Sequence, residues 1–257
     1  MIGKRILITR NKDQISTLSE QLREKGAEIV ELPTIDIRPV SDLSEIHTAI
    51  GNLSQYQWIV FTSVNGVKYF FEQLEACGKD AQSLLSLKTA IVGRETAVAL
   101  NKFGITADLL PDKFTSEGLA ETFVARFPNM KGQKVLIPTS AIARDVLANE
   151  LRKLGAAVDV IAIYTNELPE YPVEYLKNIF EKPFDLVVFT SSSTVTNLAT
   201  ILQKNNLSQI LADLKGASIG SVTSNTIQDT GMYLALEAEE HTIQGLVKSI
   251  AAYFGKC

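Results

Sequence analysis

The chain has 257 residues, long for one ordinary domain and ample for two. Hydrophobic residues make up 46% and charged residues 21%, which excludes a disordered chain, and a net charge of −4 supplies no basic field for nucleic acid. Two cysteines, Cys77 and Cys257, make no disulfide framework, and His47 and His241 lack the acidic or thiol neighbours of a structural zinc site. No apolar run approaches the ~18–20 residues that span a membrane. The segment Met1–Arg10 has basic residues and a short apolar stretch but no cleavage-site pattern, so it reads as a first strand and the chain as cytoplasmic.

Along the chain, short apolar runs alternate with amphipathic stretches. Arg5–Thr9 reads as a buried strand. Ile15, Leu18 and Leu22 follow at helical spacing, and Gly26 stands at the usual helix stop. Glu28–Leu32 and Gln57–Phe61 are further strands, and Val67, Phe71 and Leu74 mark the next helix. Thr89–Val92 predicts a strand, Glu95–Asn101 a helix and Thr106–Leu109 a last strand. Leu119, Phe123 and Phe127 give the apolar face of a helix opened by Thr115. Alternating strands and helices imply parallel sheets covered on both faces.

The second half follows the same order. Trp58-Ile59-Val60-Phe61-Thr62-Ser63 recurs as Leu186-Val187-Val188-Phe189-Thr190-Ser191, and Leu22–Ala27 as Leu151–Ala156. Leu87–Gly93 recurs as Leu214–Gly220, and Thr115 with Gly118-Leu119 matches Thr242 with Gly245-Leu246. The matches keep one order and nearly one offset, so the chain reads as internally repeated. Two proline-marked segments, Pro33–Pro39 and Tyr164–Pro169, hold matching places. Periodicity allows either a boundary near Lys131 or a chain that crosses between lobes at these two segments.

In open parallel sheets, ligands bind beyond the carboxyl ends of the strands. Four loops fall there: Thr62-Ser63-Val64-Asn65-Gly66, Gly93-Arg94-Glu95-Thr96, Thr190-Ser191-Ser192-Ser193-Thr194 and Gly220-Ser221-Val222-Thr223. One such hydroxyl is well explained as a helix cap. Four clusters carry hydroxyls beyond capping need, and with free N–H groups they suit carboxylates or phosphates. Arg10 and Arg144 can each fork to a carboxylate or stand as ordinary surface arginines; Lys68 and Arg94 are weaker candidates of that kind. Tyr164 either projects its hydroxyl into a cleft or packs against the connector. There is no Ser–His pairing, no phosphate-loop motif and no dinucleotide fingerprint, so neither a nucleotide cofactor nor a metal is expected.

These residues give the chain a resemblance to uroporphyrinogen-III synthase over essentially its whole length. It is carried by Ile8-Thr9-Arg10, Phe61–Val67, Ile91-Val92-Gly93 with Thr96-Ala97, Phe114-Thr115-Ser116-Glu117-Gly118-Leu119, Arg144–Leu147 and Tyr164-Thr165. Phe189–Ser192, Ile219-Gly220 with Thr223, and His241-Thr242 with Gly245-Leu246 continue it. Two stretches depart from the family's pattern: Pro138–Ala143 lacks the usual arginine and glycine residues, and Ser192-Ser193 stand where relatives often carry glycine or alanine.

The resemblance implies two flavodoxin-like α/β lobes with parallel sheets, joined by a two-stranded linker. Residues 1–34 plus 171–257 would form lobe 1, residues 40–163 lobe 2, and 35–39 and 164–170 the connectors. It implies cyclisation of the linear tetrapyrrole hydroxymethylbilane to uroporphyrinogen III, with loss of water and inversion of the terminal ring, and no cofactor. The implied partner is this polycarboxylate, with no nucleic acid or membrane; the protein would be a monomer in at most transient contact with the preceding pathway enzyme. Tyr164 is implied as the acid. Arg10, Thr62, Ser63, Val64, Asn65, Gly93, Thr96, Thr115, Ser116, Arg144, Thr190, Ser191, Ser192, Ser193, Gly220, Ser221 and Thr223 would bind the eight carboxylates. The alternative from another class is a two-lobed, non-catalytic binding or sensor protein for a small anion.

Overall fold

The structure is a computed structural model that describes residues 1–10 and 12–255. The side chains of residues 11–17 and Cys257 lie outside the described residues, and with them the expected core contact of Ile15. In chain order the elements are β1 (Arg5–Ile8), α1 (Lys12–Glu24), β2 (Glu28–Glu31), β3 (Asp36–Pro39), α2 (Ser44–Gly51), β4 (Trp58–Phe61), α3 (Val64–Ala76), β5 (Lys88–Ile91), α4 (Arg94–Asn101) and α5 (Ser116–Arg126). There follow β6 (Lys134–Ser140), α6 (Val146–Lys153), β7 (Ala157–Glu167), α7 (Val173–Phe180), β8 (Leu186–Phe189), α8 (Ser192–Lys204), β9 (Lys215–Ser218), α9 (Ser221–Asp229), β10 (Tyr233–Glu237) and α10 (Ile243–Gly255). This is a mixed α/β protein. The chain divides into two compact units, Met1–Asp36 with Glu167–Cys257, and Ile37–Asn166.

The first unit holds a sheet in the order β10-β9-β8-β1-β2. Its strands pair in parallel, with Leu7 beside Val30 on one side and Val187 on the other. Read from the other edge, the unit's strands run 2-1-3-4-5, the doubly wound arrangement whose order reverses beside the first strand. Alternate residues face opposite layers. Ile6, Ile8, Leu186 and Val188 pack with Leu22 and Leu246 on one face, and Leu7, Val187 and Phe189 with Leu176, Leu198 and Ile227 on the other. Gly26 ends α1 with φ 86°, a conformation open to glycine and strained for other residues.

The unit Ile37–Asn166 is built on a sheet in the order β3-β7-β6-β4-β5. β5, β4, β6 and β7 pair in parallel, and the strand order reverses between β4 and β6. Trp58, Val60, Val135 and Ile137 face Leu119, Phe123, Leu147 and Leu151 of α5 and α6. Ile59, Phe61, Leu136 and Ile161 face Ile50, Phe70, Leu74 and Leu100 of α2, α3 and α4. Pro138 falls on β6 beyond Leu136, where the pairing with β4 has ended, so its missing N–H breaks no bond there.

The expected strand Thr106–Leu109 is corrected. It reduces to one parallel bridge between Ala90 and Leu109. The reason is Asp108, whose carboxylate accepts from the Thr89 amide at 2.7 Å and takes the place of a ladder bond.

Candidate active site

In the unit Ile37–Asn166, four helices, α3, α4, α5 and α6, start at the carboxyl end of the sheet. After β4 the chain is extended at Ser63 (φ −157°), whose Oγ accepts from the Gly66 amide at 2.9 Å and caps α3. Thr115 does the same for α5, accepting from the Gly118 amide at 2.9 Å. Gly93 opens α4 through its carbonyl, which accepts from Ala97. Ser63 and Thr115 therefore do the capping, and their neighbours Thr62 and Ser116 are left over. Val64 is exposed and Asn65 half-buried on the first turn of α3, while Thr96 is buried in α4. Arg144 stands exposed ahead of α6, with Nη2 3.6 Å from Glu117 Oε1.

Tyr164 meets this loop from β7. A register shift after Thr139 brings Tyr164 opposite Ser140. Its ring stacks on Tyr69 with centroids 5.5 Å apart, and the Tyr69 hydroxyl donates to the Ile37 carbonyl at 2.7 Å. The Tyr164 hydroxyl lies 2.9 Å from Ser63 Oγ. Burial raises its pKa above the ordinary 10.0, against a smaller lowering by Ser63, so the phenol is neutral at neutral pH. Ser63 Oγ already accepts from Gly66. If Tyr164 also donates to it, the Ser63 proton is free to point outward.

The other unit presents the loops after β8 and β9. Ser191 opens α8 (φ −165°), but its hydroxyl makes no capping bond and pairs instead with Ser193 Oγ at 2.9 Å. Thr190 and Ser192 are half-buried beside them, and Thr194 Oγ1 donates to the Ser191 carbonyl at 2.7 Å. Gly220 opens α9 under the His241 ring; a Cβ there would sit 3.2 Å from three ring atoms. Ser221 is exposed and Thr223 buried. Arg10, at the end of β1, is half-buried, and burial lowers its pKa.

Two features escaped the sequence reading. The Ser224 hydroxyl donates to Glu237 and lies 2.6 Å from Ser218 Oγ, a link across three elements that local spacing does not carry. Thr139 lines a small cavity of about 80 Å³ together with Thr62, Ser116 and Arg144. Its signal was present, because Val135, Ile137 and Thr139 alternate along one strand face. Among the described residues, no group of three His, Cys, Asp or Glu side chains is placed to hold a metal.

A family model described as uroporphyrinogen-III synthase HemD matches residues 16–248. The chain belongs to the uroporphyrinogen-III synthase family. It is 33% identical over 256 residues to the uroporphyrinogen-III synthase of Synechococcus elongatus, covering 97% of this chain and 95% of that one. It is also 33% identical over 251 residues to the porphyrin biosynthesis protein HemD of Ruminiclostridium josui, but spans only 48% of that longer protein. Among solved structures, a mutant uroporphyrinogen III synthase of Thermus thermophilus aligns with a TM-score of 0.64 at 18% identity, over 99% of this chain and 100% of that one. The Helicobacter pylori uroporphyrinogen-III synthetase aligns at 0.63 and 15% identity, over 98% and 99%. At these identities the two structures speak for a shared fold.

Proposed function

We propose that the chain is a uroporphyrinogen-III synthase, which closes hydroxymethylbilane to uroporphyrinogen III with loss of water and inversion of the terminal pyrrole ring. The observation that carries this reading is the family match over residues 16–248. The strand ends support it chemically. Each unit, taken by itself, ends its sheet in hydroxyls and open helix N-termini, which hold carboxylates without a basic surface. In the same reading the protein works as a cytoplasmic monomer and meets the enzyme before it transiently at most. No helix among the described residues is long and apolar enough to cross a membrane.

The reaction begins when the C–O bond of the hydroxymethyl group breaks and the departing oxygen takes a proton to leave as water. The electron-rich pyrrole stabilises the resulting cation. The harder task is to hold the chain so that the substituted carbon of the last ring attacks. Tyr164 lies behind Ser63, so the proton reaches the leaving oxygen from Ser63 while Tyr164 replaces it. Burial keeps the phenol protonated before the step and disfavours a lasting phenolate, so the proton lost when the macrocycle forms returns to the pair.

The test supplies freshly made hydroxymethylbilane and separates the product isomers. Isomer III above the spontaneous level is expected; isomer I alone would overturn the reading. Tyr164→Phe keeps the stack on Tyr69 and loses the donor, so turnover should fall by about 10²–10⁴-fold. Near-normal turnover removes Tyr164 from the chemistry.

A further inference from the structure

Strands β4 and β6 are neighbours, and Trp58, Val60, Val135 and Ile137 point to the same layer, under α5 and α6. Side chains return to one face every second residue. The next positions on that face are Thr62 and Thr139. Two adjacent apolar stripes thus each end in a threonine at the carboxyl end of the sheet, where the strand order reverses. That reversal opens the crevice in which doubly wound sheets bind ligands.

The cavity of about 80 Å³ lies at this point. Thr139 is 5% exposed, and its hydroxyl has no hydrogen-bond partner among the described residues. The side chain is nearly enclosed, but its oxygen is not sealed among protein atoms: it opens to the cavity, where such a group is met by water or a ligand. Ser116 reaches the cavity from the first turn of the 11-residue α5, whose leading N–H groups lack helical acceptors. Arg144 adds a cation from the loop before α6. Thr62, Ser116 and Thr139 can all donate; Arg144 and Asp145 stand at the rim, both exposed, with Arg144 3.6 Å from Glu117. The space exceeds that of a single water. A carboxylate offers only acceptors and one negative charge.

We propose that this cavity is a subsite for one carboxylate of the substrate and that Thr139 is a binding residue on its wall. The proposal rests on the synthase reading and adds a site to it. Thr139→Val keeps the shape and removes a hydroxyl that no protein group uses. Its melting temperature should equal or exceed that of the wild type. KM for hydroxymethylbilane should rise on the order of tenfold, the effect of one charge-assisted hydrogen bond, with kcat little changed. Thr139→Ser should restore the wild-type KM. An unchanged KM in Thr139→Val, or a fall in kcat and melting temperature together, overturns the proposal while an active wild type keeps the synthase reading. A wild type that makes no isomer III overturns both. Should Thr139→Val fail to fold, Ser116→Ala takes its place, with the same rise in KM expected and an unchanged KM overturning the proposal.

Discussion

Tyr164 and Ser63 form one donor pair although 101 positions separate them. The direction of the tyrosine's pKa shift gives a pH prediction. The phenol donates only while protonated, and burial raises its pKa above the ordinary 10.0. Loss of the donor therefore comes as pH rises through that raised value. The same burial contributes stability that is present below the unfolded pKa and lost above the folded one. The alkaline limb of the kcat profile assignable to Tyr164 should accordingly lie above about pH 10. A limb near neutrality that persists in Tyr164→Phe would place the essential proton on another group. Much of this site was legible in the residues. The Thr-Ser loops announce themselves as strand ends followed by helix starts, and Tyr164 as the polar end of an apolar run. The contact between them was not legible, because it depends on which strands are neighbours. Thr139 was half-legible: its face follows from alternation, but Pro138 beside it suggests a break.

At the scale of elements, two helix starts share one tight construction. Thr115 Oγ1 accepts from Gly118, and Thr242 Oγ1 accepts from Gly245 at 3.0 Å. In each, the preceding chain folds back over the first turn. A Cβ on Gly118 would lie 2.3 Å from the Lys113 carbonyl oxygen, and one on Gly245 would lie 2.2 Å from that of Glu240. These are backbone atoms, and they cannot swing aside as a side chain can. Gly118→Ala and Gly245→Ala should each destabilise the protein by about 1–3 kcal/mol in urea unfolding. At Gly51, the end of α2, an added Cβ would meet nothing within 4 Å, and φ is not positive. Gly51→Ala should therefore be neutral or stabilising by up to about 1 kcal/mol. Equal losses at all three sites would mean that the close carbonyls have no bearing. The sequence displays the Thr-x-x-Gly pattern three times, at Thr48–Gly51 as well as at the two helix starts, but not the carbonyl that crowds Gly118 and Gly245 and spares Gly51. Strands and helices followed their apolar periods well, because burial on two layers fixes those periods. Thr106–Leu109 failed for a local reason, a carboxylate that substitutes for a ladder partner.

At the scale of the molecule, periodicity identifies strands but does not say which of them share a sheet, so the division into two units had to come from contacts. Each unit has apolar clusters on both faces of its own sheet. Chains built this way commonly depart from two-state unfolding. The protein carries a single tryptophan, and Trp58 is 2% exposed on β4, packed under α5. Its fluorescence reports on the unit Ile37–Asn166, whereas far-UV circular dichroism reports on helices of both units. In urea, Gly118→Ala should move the fluorescence midpoint downward. Gly245→Ala should leave that midpoint in place and shift part of the dichroism transition, since α10 belongs to the other unit. If each variant moves both probes by the same amount, the chain unfolds as one cooperative body and the separate cores do not set its stability. If the probes separate as expected, loss of activity in either variant can be traced to one sheet and the loops at its carboxyl end.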